Sequence, residues 1–312
     1  MTAQTAPANS DTDILPYNVS PAGALTGELR KWHKITLGFE AFNTTEANNE
    51  QNPFADLRVD VNFTHGASSK SYMVPGYYAA DGTAANSGAE SGSVWLVHFT
   101  PDEVGTWEWE ASFVEGENVA QNGGGTSASF FDGATGTFEV EPTDKTGRDH
   151  RGKGRLQYVG ERHLRFAESG EWFLKAGSDS PENFLEYEDF DNTPNMTGNL
   201  KSWAPHQRDF VADNGDPTWS GGKGSEIIGA VNYLSNEGMN AFSFIPMTIG
   251  GDAKSVYPYI SDNAADRLRF DCSKLAQWEV VFEHADRMGM FLHFKTQETV
   301  SADLLLLCLY LL

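Results

Sequence analysis

Hydrophobic positions change their spacing part-way along the chain. Up to about residue 141 they recur every second residue: Arg58-Val59-Asp60-Val61-Asn62-Phe63 alternates strictly, as does Trp107-Glu108-Trp109-Glu110. Such alternation sends one set of side chains to a buried face and the other to water, the mark of a strand packed on one side. The pattern predicts strands over 30–37, 57–64, 71–78, 94–99, 107–113 and 136–140. Their connections are rich in Gly, Asn and Ser, as in Asn122-Gly123-Gly124-Gly125, and no helical period intervenes. Short strands punctuated by turns predict an antiparallel sandwich over 24–142. Ahead of it, residues 1–23 read as a flexible leader, and the polar, Gly-containing stretch 143–155 reads as a linker.

From residue 156 the period lengthens. Ile227, Ile228, Val231 and Leu234 share one helical face, Gly238 supplies a left-handed stop, and Ala241-Phe242-Ser243-Phe244-Ile245-Pro246-Met247 follows as a strand. The same grammar returns: Asp271 caps a helix carrying Leu275, Trp278, Val281, Phe282 and Ala285, Gly289 ends it, and Met290-Phe291-Leu292-His293-Phe294 is the next strand. With Trp172-Phe173-Leu174-Lys175-Ala176-Gly177 as an earlier strand, the repeated units predict a parallel sheet with right-handed crossovers. An open nucleotide-binding sheet is disfavoured, because Gly177-Ser178-Asp179-Ser180-Pro181-Glu182 places carboxylates where a phosphate needs bare backbone amides. Long aromatic loops after strands suit the C-terminal rim of a barrel instead. Thr100-Pro101-Asp102-Glu103-Val104-Gly105-Thr106-Trp107 resembles the corner entering a late strand of immunoglobulin-like domains, with Trp in place of the usual Tyr and its hydroxyl bond expected to be lost. The expected fold class is therefore a multi-domain chain, an all-β immunoglobulin-like sandwich followed by an incomplete α/β TIM-type barrel over 156–299.

Charge narrows the partners. The chain carries 44 acidic residues against 22 Lys plus Arg, a net −22. A field of that sign repels phosphate backbones and anionic headgroups, so nucleic acid and membrane surfaces are not expected partners, while neutral sugars are unaffected. The two cysteines, Cys272 and Cys308, lie in unlike settings and predict no structural disulfide. Residues 1–13 show neither a basic nor an apolar signal-peptide region.

Longer motifs carry a family resemblance. Pro75-Gly76-Tyr77-Tyr78-Ala79-Ala80-Asp81-Gly82, Trp95-Leu96-Val97-His98-Phe99-Thr100-Pro101-Asp102 and Trp107-Glu108-Trp109 resemble an immunoglobulin-like domain of unknown function that precedes glycoside hydrolase barrels in bacteria. Leu174-Lys175-Ala176-Gly177-Ser178-Asp179-Ser180-Pro181-Glu182-Asn183-Phe184-Leu185 resembles the first barrel strand and loop of the same family, and Asp216-Pro217-Thr218-Trp219, Gly250-Gly251-Asp252 and His293-Phe294-Lys295-Thr296-Gln297-Glu298-Thr299 fit it too. The resemblance implies a secreted or periplasmic parent, glycoside hydrolysis on a polysaccharide or oligosaccharide, no cofactor, and catalytic carboxylates on later strands. A (β/α)₈ domain takes ~200 residues or more, so the run from Leu156 is expected to be an N-terminal part without those carboxylates and without turnover. Residues 300–312, ending in an apolar run from Leu304, are expected to be an aberrant tail from a shifted or shortened reading frame, with a native docking helix as the alternative. The rival reading of the whole is a non-catalytic carbohydrate-binding or accessory module.

Candidate substrate contacts are the polar and aromatic residues at strand ends and in the following loops: Asp179, Glu182, Asn183, Asp252, Gln297, Glu298, Trp219 and Tyr257. Each has a plainer role open to it. Asp179 could cap a short helix starting at Pro181, Glu298 could be a solvated loop carboxylate, and the aromatics could anchor loops rather than stack on sugars. His293 and Lys295 alternate on one strand face, where Lys295 needs a carboxylate partner and His293 reads as a satisfied core residue. No spacing fits zinc. The acidic run Glu186–Asn192 reads as solvated loop rather than calcium site.

Overall fold

The computed structural model of the protein describes residues 16–178, 182–196, 198, 200–248, 255–260 and 267–295. Its chain divides into two units, Met1–Ala84 with Ala89–Thr146, and Ala85–Gly88 with Gly147–Leu312.

Unit 1 is built from β1 (Ala24–Thr26), β2 (Ile35–Thr45), β3 (Leu57–His65), β4 (Ser71–Pro75), β5 (Tyr77–Tyr78), β6 (Ser91–Phe99), β7 (Gly105–Glu115), β8 (Thr126–Ser127) and β9 (Thr135–Val140). The one-turn helix α2 (Val119–Asn122) interrupts a connection, and α1 (Ala84–Ser87) lies where the chain passes from unit 1 into the short segment Ala85–Gly88 of unit 2. The strands form two antiparallel sheets, ordered β1-β2-β6-β5 and β4-β3-β7-β8, with β9 also on β7. Alternation sets the register: β3 and β7 pair from Leu57↔Glu115 to His65↔Trp107, and Val59, Val61, Phe63, Trp109, Ala111 and Phe113 are all buried. The sheets meet through rings, Phe63 stacking on Phe99 at 4.2 Å and Trp95 tilting onto Phe113 at 5.0 Å. Burying each such ring contributes about 2 kcal/mol. At the corner before β7, the Trp107 indole Nε1 donates to the Glu103 carbonyl at 3.0 Å, so the bond expected to be lost with Tyr is made by Trp.

Strand β2 runs through Gly38, well beyond the predicted end at 37, while residues 30–33 form a turn in which Trp32 has φ 69°. Glycine is required inside this strand because a Cβ at position 38 would lie 2.3 Å from the Asn18 carbonyl.

Unit 2 opens with α3 (His150–Lys153) and a short antiparallel sheet, β10 (Leu156–Gln157), β11 (Leu164–Phe166) and β12 (Trp172–Phe173). A parallel sheet follows from β13 (Gly177–Ser178), β14 (Ala241–Phe244) and β15 (Phe291–Phe294), with α4 (Ser225–Asn236) before β14 and α5 (Cys272–Arg287) before β15. Helix α4 buries Ile227, Ile228 and Val231. The Asp271 side chain caps α5 by accepting from the Lys274 amide at 2.9 Å. On one side of the parallel sheet Phe244 packs against Phe282 of α5 and Phe294 of β15, at 5.5 and 4.6 Å.

The expected fold class is corrected by these elements. Antiparallel pairing dominates the described residues; apart from isolated bridges, parallel pairing is limited to strands of 2, 4 and 4 residues, which form no TIM-type barrel. The predicted strand over 172–177 is in fact split. Trp172 and Phe173 pair antiparallel with β11, and only Gly177 and Ser178 pair parallel with β14. Periodicity reports how a segment faces its neighbours, not which neighbour it chooses. In unit 1 the strand order defines a two-sheet antiparallel body and gives no support to the narrower immunoglobulin-type assignment. No helix among the described residues is long and apolar enough to cross a membrane.

Candidate functional site

One face of the parallel sheet is layered. Its floor is apolar: Phe166 and Phe173 pack with Ala241, Leu156 and Phe291, so the antiparallel sheet covers the N-terminal ends of β14 and β15. The next layer is polar. Ser243 and His293 are register partners, and Ser243 Oγ lies 2.8 Å from His293 Nδ1. Lys175 Nζ stands 3.1 Å from both atoms. An ammonium can only donate, so Nδ1 must accept and the ring proton sits on Nε2. Above this, at the C-terminal ends, Ile245 N donates to the Glu182 carbonyl at 2.7 Å, and Lys295 Nζ pairs with Glu182 Oε1 at 2.8 Å. Lys175 is itself fixed from both sides, because the Asn240 side chain donates to Leu174 O at 2.9 Å and accepts from Ala176 N at 2.7 Å.

Ser243 is completely buried, which denies it the approach a nucleophile needs. Lys175 and His293 are exposed. The face thus presents an ammonium, an imidazole N–H and a rim carboxylate, a donor-rich arrangement suited to ligands with many hydroxyl or carbonyl oxygens.

Among the predicted contacts, Glu182 stands on this rim. Asn183 follows it, but its Nδ2 donates to Glu186 Oε2 at 2.6 Å, and Glu186 is buried. Trp219 and Tyr257 lie in the interior of unit 2. Trp219 stacks on Phe190 at 5.4 Å and donates Nε1 to Asp189 O at 3.3 Å. Its ring lies so close to Gly224 (φ 87°) that a Cβ there would come within 2.1 Å. Tyr257 packs with Met247, Tyr259 and Phe270. Asp179, Asp252, Gln297 and Glu298 fall outside the described residues. Sequence reasoning missed Lys175 and Ser243. The available signal was one polar residue in the apolar run Phe242-Ser243-Phe244, matched in the second unit by His293.

Two other polar clusters are structural. In unit 1, Glu28, His33 and Asp144 bring potential ligand atoms within 4.8 Å of one another. Cations already occupy that space: Lys145 Nζ lies 3.3 Å from Glu28 and 3.4 Å from Asp144, with Arg30 3.6 Å from Asp144. Burial works to raise the Asp144 carboxyl, but Lys145 and Arg30 outweigh it and hold the group below its ordinary value. In unit 2, His284 Nε2 bonds Asn232 Oδ1 at 2.7 Å, and Asn232 Nδ2 donates to Asp216 at 2.6 Å. Burial pushes His284 down to about 4, against the pull of Asp216 and with help from Arg287. Asp216 also accepts from Val211 N at 2.7 Å, so this motif residue pins a loop.

Residues 28–114 match DUF5060, a domain of unknown function. The chain is similar in fold to a crystal structure described as "a putative glycoside hydrolase from Bacteroides vulgatus", with 16% sequence identity and a TM-score of 0.53. The likeness covers 90% of this chain and 41% of that one, so the chain spans well under half of that protein's length. No curated protein matches.

Proposed function

We propose that this chain belongs to a glycan-processing protein and that the polar face of its parallel sheet meets the sugar. The observation that carries the reading is the Lys175–Ser243–His293 layer, held over an apolar floor and below the Glu182–Lys295 rim. Oriented donors beside a carboxylate recognise vicinal hydroxyls, since each hydroxyl both accepts and donates. The fold likeness to a protein described as "a putative glycoside hydrolase" supports the same direction. Glu182 and Asn183, with Asp179, Asp252, Gln297 and Glu298, are the proposed further contacts. Glycosidases set two carboxylates ~5–9.5 Å apart across the scissile bond, and the described rim contributes Glu182 with Lys295 bound to it. Glycan binding is therefore the activity assigned to this face.

The test is native affinity electrophoresis of the full chain in gels holding one soluble neutral polysaccharide each, such as xylan, galactomannan or hydroxyethylcellulose. Retardation is expected on at least one gel, with Lys175→Met and His293→Leu each weakening it about tenfold, the worth of one charge-assisted hydrogen bond. Migration unchanged by every gel, or retardation that both variants retain, refutes the reading. Reducing-sugar release measured alongside separates a hydrolase from a binding module.

A further inference from the structure

Unit 1 carries a pair of aromatic rings at its surface, Phe130 exposed and Phe42 half-buried beside it. Phe130 is 57% exposed, and its ring lies 5.5 Å from that of Phe42, tilted by 48°. Two backbone irregularities converge on this pair. The pairing of β2 with β6 shifts register between Glu40 and Thr44, which takes Phe42 out of the regular ladder. Such bulges re-aim side chains. Across from it, Ser129 and Phe130 take φ of 67° and 55°, in the left-handed region that bulky side chains avoid.

The turn that holds Phe130 is rigidly built. Phe131 is buried between Phe39 and Phe113, with ring separations of 4.3 and 4.5 Å, and anchors the turn in the core. Asp132 accepts from Phe113 N at 2.8 Å and from the Ser127 hydroxyl, while Ser129 N donates to Ser127 Oγ at 3.2 Å. Ala134 N donates to Phe131 O at 2.9 Å. An exposed ring kept in a disfavoured backbone conformation, with this much support beneath it, is a preset surface.

We infer that Phe130 and Phe42 form a stacking platform for the C–H face of a neutral sugar ring, a glycan-binding site in unit 1 separate from the polar face of unit 2. Size and charge select this occupant. Two rings fall far short of the ~1,000 Å² a stable protein interface buries, whereas one pyranose matches them. The net −22 of the chain opposes anionic ligands, and a neutral sugar meets no such field. Aromatic faces gain from ring-sized apolar contact while the sugar hydroxyls stay in water.

The test uses the full chain labelled with 4-fluorophenylalanine. Its Phe130 signal is assigned by its loss in Phe130→Leu, and the probes are cellohexaose, laminarihexaose, xylohexaose and mannohexaose. At least one hexaose is expected to shift the Phe130 resonance. By titration calorimetry with that hexaose, Phe130→Ala is expected to weaken binding about tenfold and Phe130→Tyr to restore it. Because the ring is exposed, these variants keep the fold, checked by circular dichroism. Lys175→Met leaves the Phe130 shift intact, so failure of the unit 2 reading and failure of this one are distinguishable. The platform is refuted if no hexaose moves the resonance, or if Phe130→Ala binds as the parent does. It is refuted equally if the resonance instead changes with protein concentration and sedimentation shows a dimer that Phe130→Ala abolishes.

Discussion

His284 shows how one side chain ties stability to pH. Its folded value lies near 4 against an ordinary 6.5, because burial disfavours the imidazolium. Between those values the unfolded chain takes up a proton that the folded chain refuses. Stability is therefore complete above pH 6.5, falls as pH drops towards 4, and loses about 2 kcal/mol from this group by pH 5. Thermal unfolding at pH 7 and pH 5 is expected to show the loss, and His284→Gln is expected to shrink it. A variant with the same pH dependence as the parent contradicts the assignment. Other single residues show what sequence can and cannot reveal. Lys295 was expected to need a carboxylate, and Glu182 provides it. Trp219 offered no clue to its burial, since an indole in a loop reads the same whether it faces water or, as here, Phe190.

At the scale of elements, the helices of unit 2 were the most legible. The apolar face over 225–237 and the cap at Asp271 anticipate α4 and α5, because a 3.6-residue period and a side-chain oxygen before the first turn are local properties. Strands were legible where both neighbours are long, as in β3 and β7, and illegible where pairing lasts two or three residues, as in β1, β8, β10 and β11. Such short strands exist because tertiary neighbours hold them, and no local period records that. The Asp271 cap yields a test of its own. Its carboxylate also lies 3.4 Å from Lys274 Nζ, with both side chains almost wholly buried. Asp271→Ala is expected to cost about 3 kcal/mol, more than the ~1 kcal/mol of an ordinary cap, because it takes a carboxylate from a buried ammonium. Asp271→Asn, which keeps the cap and removes the charge, should fall between. Denaturant titration decides, and equal stability of Asn and Asp forms would show that the ion pair contributes nothing.

For the whole molecule, charge is the property that composition gives directly. A net −22 stores self-repulsion in the folded state. Raising salt from ~10 mM to ~0.15 M shortens the screening length from ~30 to ~8 Å, so the melting temperature is expected to rise by a few degrees in sodium chloride. Calorimetry at the two concentrations checks this, and an unchanged or lower value means that local ion pairs, not the overall field, dominate. The overall architecture was less legible than the charge. Repeated strand–helix–strand grammar anticipated parallel pairing of β14 and β15 but suggested a barrel that the described residues do not form. Closure depends on how many strands meet and where they slide, and neither is written in a hydrophobic period.

The split between β12 and β13 bears on the ligand capture proposed for this face. Leu174, Lys175 and Ala176 bridge two ladders of opposite sense, clamped at one end by β11, at the other by β14, and braced midway by Asn240. An amine on a free loop would lose its freedom when a guest arrived, and that loss would weaken capture. Here folding has already immobilised the backbone that carries it, so under the proposed glycan-binding role an incoming oxygen would find its counterpart waiting.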